Sequence, residues 1–325
     1  MVDLIPSTAA PVHAVPDVVT VGEAMALFIA RQAGPLAAVR EFERATAGAE
    51  LNVAVGLARL GCRVGYLSAL GDDSLGQQLL GFMAAEGIAR DYVRIDARYP
   101  TGFMLKGMTD DGSDPPIEYF RRGSAASHLS AADIPAGFAQ AKLLHLTGIS
   151  PALSDGCRAL VFALARQARA AGRTVTFDPN LRPRLWPSRA EMIATLNELA
   201  GLADVVMPGL AEGRLLTGRD DAAGIADFYL ALGARLVVVK LGPEGAYYAG
   251  PEGRGIVPGV PVAKVVDTVG AGDGFAVGVI SALLEGLSPA AAAARGNAIG
   301  ARVVQFRGDC EGLPTRAELG APLPD

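Results

Sequence analysis

Residues 267–275 read DTVGAGDGF, which sets a carboxylate beside a stretch built for negative charge. The apolar run VAKVV (262–266) is expected to be a strand leading into Gly270-Ala271-Gly272, with a helix beginning near Asp273. Helix N-termini attract anions, and glycines let a phosphate come close. The chemistry expected here is phosphoryl binding by the backbone amides of Ala271, Gly272 and Asp273. The glycines alone leave a second possibility open, a plain strand–turn–helix with Asp273 as a cap. An acid in this place suits phosphoryl transfer, where the transition state is loose and the protein mainly positions the reactants. An acceptor hydroxyl must be held in line with phosphorus and must lose its proton late. A carboxylate with an ordinary pKa of about 4 is a weak base, yet strong enough for a late proton.

Other polar groups could serve the same reaction. In KLGPEG (240–245), Lys240 ends an apolar run and Gly242 follows, which suits a nucleotide loop or an ordinary tight turn. In AGAELN (47–52), Gly48 permits close approach and Asn52 stands in the first turn of a helix; sugar hydroxyls or simple helix-start chemistry both fit. EYFRRGSAAS (118–127) puts Tyr119 and Arg121 on one face of a strand. FDPNLRPRLW (177–186) carries Asp178, Asn180 and Arg182 off a strand end into a proline-restricted loop. Two arginines converging on one pocket would grip a carboxylate bidentately. Arg122 and Arg184 read as surface residues.

The elements that must hold these groups alternate along the chain. DVVTVG (17–22), CRVGYLSALG (62–71), KLLHLTG (142–148), RTVTFDPN (173–180), ADVVMPG (203–209) and RLVVVKLG (235–242) read as strands. LNVAVGLARLG (51–61) and SLGQQLLGFMAAEG (74–87) read as helices, the first closed by Gly61. Strands that are apolar throughout belong in a parallel sheet covered on both faces. The fold class expected is α/β, a doubly wound sandwich. In such sheets ligands bind outside the carboxyl ends of the strands. HLTGIS, FDPNLR, GLAE, KLGPEG and DTVGAGD all fall at ends of that kind, and together they suggest one composite site. Residues 25–42 and 99–126 break the pattern and are expected to supply lid strands, the second pair flanking an acidic, proline-rich turn. The main domain is expected over 17–318, with flexible tails at 1–16 and 319–325.

Composition excludes several classes. The chain has 325 residues, a formal net charge of -5 and 50% hydrophobic residues, which suits one large globular domain without a basic stripe for nucleic acid. Three dispersed cysteines, Cys62, Cys157 and Cys310, point to a reducing, cytoplasmic setting. The histidines, His13, His128 and His145, are too scattered for a histidine metal site. No stretch reaches the ~20 apolar residues of a membrane span, and the N-terminus lacks a basic leader region.

DTVGAGDGF resembles the C-terminal signature of the ribokinase/phosphofructokinase-B (pfkB) carbohydrate kinases, and AGAELNVAVGLARLG resembles their N-terminal glycine motif. The likeness runs in consistent order from about Val18 to Leu313. Within that family HLTGISPALS, EYFRRGSAAS and FDPNLRPRLW look most like 2-keto-3-deoxygluconate kinases. The resemblance implies a ribokinase-like α/β domain with a β lid, ATP with Mg²⁺, and a K⁺ or similar cation near the DTVGAGD loop. It implies Asp273 as the base and Gly270, Ala271 and Gly272 as the anion hole. Gly48, Asn52, Tyr119, Arg121, Ile149 and Arg182 match positions lining the keto-acid site, and Lys240, Gly242 and Asn297 match positions around ATP. Glu212 is implied as an indirect Mg²⁺ group and Asp267 as a cation group. A homo-oligomer is expected. Two departures stand out: Gly209 replaces the asparagine of an Asn-x-x-Glu, and Met104 replaces a lid tyrosine. A kinase of fructose, ribose or another neutral sugar is the nearest alternative, and a weakly catalytic sugar-sensing relative is a more distant one.

Overall fold

The computed structural model describes residues 15–108 and 115–319. Residues 1–14 and 320–325 of the expected tails and residues 109–114 of the expected turn, like His13, lie outside the described residues.

The apolar runs become one sheet. In chain order its strands are β1 (Val18–Val21), then, after the lid strands β2 (Met25–Ala30) and β3 (Phe42–Ala47), β4 (Val64–Gly71) and β5 (Val93–Asp96). The lid strands β6 (Phe103–Lys106) and β7 (Ile117–Phe120) intervene before β8 (Leu143–Thr147), β9 (Thr174–Asp178), β10 (Val205–Val206), β11 (Leu236–Lys240), β12 (Gly245–Gly250) and β13 (Gly253–Pro258). The strand order is β13-β12-β11-β10-β9-β8-β1-β4-β5, with only the β11–β12 and β12–β13 pairings antiparallel. Val18 pairs with Val64 on one side and Leu143 on the other. Side chains along β1 still alternate between faces: Val19 and Val21 enter one core, Val18 the other. Both faces are buried, so both sets must be apolar and the strand shows no polar alternation.

The helices are α1 (Ala49–Arg59), α2 (Ser74–Ala85), α3 (Asp155–Ala170), α4 (Arg189–Ala200), α5 (Leu210–Thr217), α6 (Ala222–Ala231), α7 (Ala271–Leu284) and α8 (Pro289–Val303). Most begin where a side chain caps the first turn: Asp73, Ser154, Ser188, Asp221 and Ser288 each accept from the amide three residues on. α7 packs between α1 and α8 at very short range. A Cβ on Gly56 would lie 2.5 Å from Val277, and one on Gly278 would lie 2.6 Å from Gly296.

Two expectations change. VAKVV is not a strand: residues 262–266 run as an exposed connection, with Val265 58% and Val266 42% exposed, tied by the Val266 and Asp267 amides to the Val304 carbonyl. The sheet already ends at β13, so these valines have no neighbouring strand to join. The first lid segment extends beyond residue 42, because β3 continues to Ala47. The lid is a four-stranded sheet in the order β3-β2-β6-β7, and it ends at Phe120; residues 121–126 return to the main body through the short turn of helix at Ala125–His128. Of the histidines, His145 is a core residue on β8 beside Thr176, and His128 is exposed and stacked on Tyr99.

Candidate active site

A cavity of about 430 Å³ opens between the carboxyl ends of the strands and the lid. Gly48, Asn52, Met104, Tyr119, Arg121, Ile149, Asn180, Arg182, Glu212, Lys240, Gly270, Gly272 and Asp273 all line it. A second cavity of about 440 Å³ lies behind it, lined by Gly242, Pro243, Val260, Val262, Phe275 and Asn297. Lys240, Thr268 and Gly272 line both and form the partition.

Asp273 is the third residue of α7, after the N-cap Gly270. The amides of Gly272 and Asp273 stand in the first turn, where no carbonyl four residues back exists inside the helix, so they are available to an anion. The Ala271 amide is turned toward the Thr268 carbonyl at 3.4 Å, so the expected three-amide hole is chiefly a two-amide one. Gly270 adopts φ 82°, and a Cβ there would lie 2.2 Å from the Asp309 carbonyl oxygen; only glycine fits. Gly272 meets nothing closer than Lys240 Nζ at 3.7 Å, so its open side faces the cavities.

Asn52 Nδ2 donates to Asp273 Oδ2 at 2.7 Å, and Asn180 Nδ2 reaches Oδ1 at 3.2 Å. Burial pushes the Asp273 carboxyl up to about 7, opposed by the bond from Asn52 and reinforced by the nearby charges of Asp178 and Asp309. The ordinary aspartate value expected from the sequence is therefore replaced by one matched to neutral pH, which makes a better base. Asn180 adopts φ 40°, a conformation asparagine tolerates better than most residues, and its amide donates to Asp178 Oδ1. Asp178 Oδ2 accepts from Lys240 Nζ at 2.6 Å. Burial pulls Lys240 down, but the charges of Asp178 and Glu212 outweigh it and the ammonium persists.

The two arginines do converge on the first cavity, but they are not equivalent. Arg121 ion-pairs with Glu23 at 2.6 Å, and Ser124 donates to the same carboxylate. Its guanidinium also lies over the Tyr119 ring, 5.9 Å from the centroid, although β7 ends at Phe120 and Arg121 stands just past the strand on which a shared face was expected. Arg182 donates to the neighbouring Leu181 carbonyl and has no carboxylate partner among the described residues. Glu23 was not foreseen, nor was Glu50. Glu50 lines the cavity, accepts from Thr147 and Ser150, and is pushed up by burial despite those bonds.

Three residues singled out for ligands already have partners within the protein. Glu212 accepts from the Gly209 amide at Oε2 and from the Leu181 amide at Oε1, each at 2.7 Å. It closes the start of α5 and pins the Asp178–Arg182 loop, leaving no oxygen free of a backbone partner; Gly209 is that helix's N-cap. Asn297 lines the second cavity, but its Nδ2 is given to the Val257 and Pro258 carbonyls. Asp267 holds the ammonium of Lys106, a residue not singled out in the sequence, where a monovalent cation was expected. Met104 is buried against the cavity and turns that wall apolar. Among the described residues no group of three His, Cys, Asp or Glu side chains could hold a metal, and no helix is long and apolar enough to cross a membrane.

Comparison with known proteins gives the family and the fold. The profile of the pfkB family carbohydrate kinases matches residues 15–316. The chain is 50% identical to the 2-dehydro-3-deoxygluconokinase of Bacillus subtilis (strain 168) over 309 residues, 94% of this chain and 95% of that one. The crystal structure of a PfkB protein from Polaromonas sp. JS666 superposes with a TM-score of 0.88 at 54% identity, covering 94% of this chain and 100% of that one. A putative ribokinase II of E. coli in complex with ATP and Mg²⁺ superposes with a TM-score of 0.86 at 26% identity, covering 94% and 98%.

Proposed function

The chain belongs to the pfkB family of carbohydrate kinases, and on that footing we propose that it phosphorylates 2-keto-3-deoxygluconate (2-dehydro-3-deoxygluconate) at the 6-hydroxyl with ATP. The observation that carries the substrate class is Arg182, a guanidinium lining the cavity that makes no ion pair among the described residues and acts on Asp273 only through its charge, with Arg121 lining the same cavity. A sugar acid supplies the missing partner; a neutral sugar does not.

In this proposal the sugar lies in the first cavity and the nucleotide in the second, its base against Val260, Val262 and Phe275. The two meet at the partition of Lys240, Thr268 and Gly272. The 6-hydroxyl oxygen bonds to the γ-phosphorus as the bond from that phosphorus to the β–γ bridging oxygen breaks. The hydroxyl proton passes to Asp273, and ADP departs. Asn52 and Asn180 hold the Asp273 carboxylate toward the hydroxyl. The free amides of the α7 N-terminus and the Lys240 ammonium face the charge on the transferred group. Oδ1 of Asn52 is buried without a partner, and only its Nδ2 reaches Asp273. Mg²⁺ would supply charge neutralisation on the phosphates. With both Glu212 oxygens engaged, it would be carried mainly by the phosphates and water, which is the usual habit of this ion. A cytoplasmic, homo-oligomeric protein belongs to the same proposal; light scattering in solution checks the assembly.

The test is a panel of sugars and sugar acids in a coupled ADP-release assay, with the product position read by phosphorus NMR. A preference for 2-keto-3-deoxygluconate over fructose and ribose is expected. A preference for a neutral sugar would replace this assignment with the general sugar-kinase one.

A further inference from the structure

Lys106 is the last residue of β6 and is 3% exposed. Its ammonium pairs with Asp267 Oδ2 and lies 3.7 Å from Asp309 Oδ1. Both carboxylates border the anion-hole turn. Asp267 Oδ1 accepts from the Val269 amide at 3.1 Å, immediately before Gly270. Asp309 presses its carbonyl against Gly270 so closely that no side chain fits there. One buried cation from the lid sheet therefore faces the two acids that frame the turn.

The donor set does not suit a resident monovalent metal ion. Asp267 gives one oxygen to an ammonium and the other to an amide, and the Val304 carbonyl beside it already accepts from the Val266 and Asp267 amides. A metal cation next to Asp267 would also sit against the positive charge of Lys106.

We propose that the Lys106 ammonium is the built-in cation of this site: it holds the Asp267–Gly270 turn in the phosphoryl-binding shape, ties that turn to lid strand β6, and frees the enzyme from any need for added K⁺. Lys106 acts as a positioning residue, reaching the transferred group only through the turn. The same pairing fixes the lid to the anion hole, so the lid strand and the amides are aligned by one contact. This rests on the kinase reaction of the site and not on which sugar is phosphorylated.

The first arm uses the unaltered protein. Turnover and Tm are measured at a constant ionic strength of about 0.1 M with K⁺ or with tetramethylammonium as the sole monovalent cation. Both are expected to be the same in the two salts. A severalfold activation by K⁺, or a Tm that rises with K⁺ alone, overturns the proposal. The Tm comparison needs no substrate, so it stands even if the sugar assignment fails. In the second arm, Lys106→Ala is expected to lose roughly ten- to a hundredfold in kcat with little change in the KM for sugar, as displacement of a catalytic turn does. Ethylammonium or K⁺ should restore part of that loss, and Lys106→Arg should retain more activity than Lys106→Ala. A folded Lys106→Ala variant with parental kcat, or one whose KM rises instead, refutes the positioning role. If Lys106→Ala does not fold, Lys106→Arg and the cation comparison on the unaltered protein still decide the matter.

Discussion

Asn52 donates to Asp273 across 221 residues of sequence, joining the first turn of α1 to the first turn of α7 at 2.7 Å. The contact aims the carboxylate while leaving it an acceptor. Replacement of Asp273 by Asn is expected to keep the fold and nucleotide binding and to cut turnover by ~10²–10⁴, the usual contribution of a general base. Because the carboxyl is pushed up to about 7, the parent's kcat/KM should fall about tenfold per pH unit as the pH drops below that value. A pH profile flat down to 5.5, or a variant within a few-fold of the parent, would exclude the role.

The same elevation predicts a stability effect of defined sign. Between the ordinary value of 3.8 and about 7, the folded protein keeps a proton that the unfolded chain releases, so Asp273 costs stability progressively as pH rises through that range. Asp273→Asn removes this slope. Denaturant unfolding should show the variant gaining on the parent from pH 4 to 7 and holding its gain above. A constant difference across that range would mean that burial does not perturb this group.

Gly270 and Gly272 stand two residues apart and should fail differently. A Cβ at Gly270 strikes the Asp309 backbone, so Gly270→Ala should lower Tm. Gly272 has room on the protein side, so Gly272→Val should leave Tm near the parent's and reduce phosphoryl transfer more than sugar binding. Normal ADP release by Gly272→Val would show that the transferred group is not cradled there.

For the arginines, Arg182→Met should raise KM for 2-keto-3-deoxygluconate by roughly ten- to a hundredfold, from a charge-assisted contact of about 1.5–3 kcal/mol. Fructose should be affected far less. Arg121→Met carries a second penalty, since it leaves Glu23, 1% exposed, as an unpaired buried charge; about 3–5 kcal/mol of stability should be lost. Addition of Glu23→Gln should recover part of it. Equal losses on both substrates in Arg182→Met would remove the carboxylate contact from the proposal.

The lid should tighten on substrate. Amides of β6 and β7 are expected to exchange more slowly with saturating sugar, since closure excludes water from the reacting phosphate. Exchange indifferent to substrate would describe a static flap.

The sheet was legible because its strands are buried on both faces and need no polar alternation. VAKVV misled for the same reason: its composition is that of a strand, but whether an apolar run becomes one depends on a neighbour to pair with, and β13 had already closed the edge. That Asp273, Asn52 and Lys240 would meet at one cavity was legible from local glycines and strand ends. Glu23 was not, because its partner Arg121 lies 98 residues away and leaves no spacing signal. Glu212 carries a structural signal as well as a chemical one: a glycine cap followed three residues later by glutamate is a helix start. Lys106 could have been found by phase, since it shares the buried face of β6 with Met104.

The glycine contacts that seat α7 against α1 and α8 have a mechanical consequence. With Gly56 backed by Val277 and Gly278 lying on Gly296, the helix that bears Asp273 has no slack in which to travel. The base is thus a fixed anvil. With lid strand β6 pinned to the turn by Lys106, stroke length in the catalytic cycle must come from the outer strands of the lid and from the substrates themselves, and a single methyl group added at Gly278 would reset the distance at which the hammer meets it.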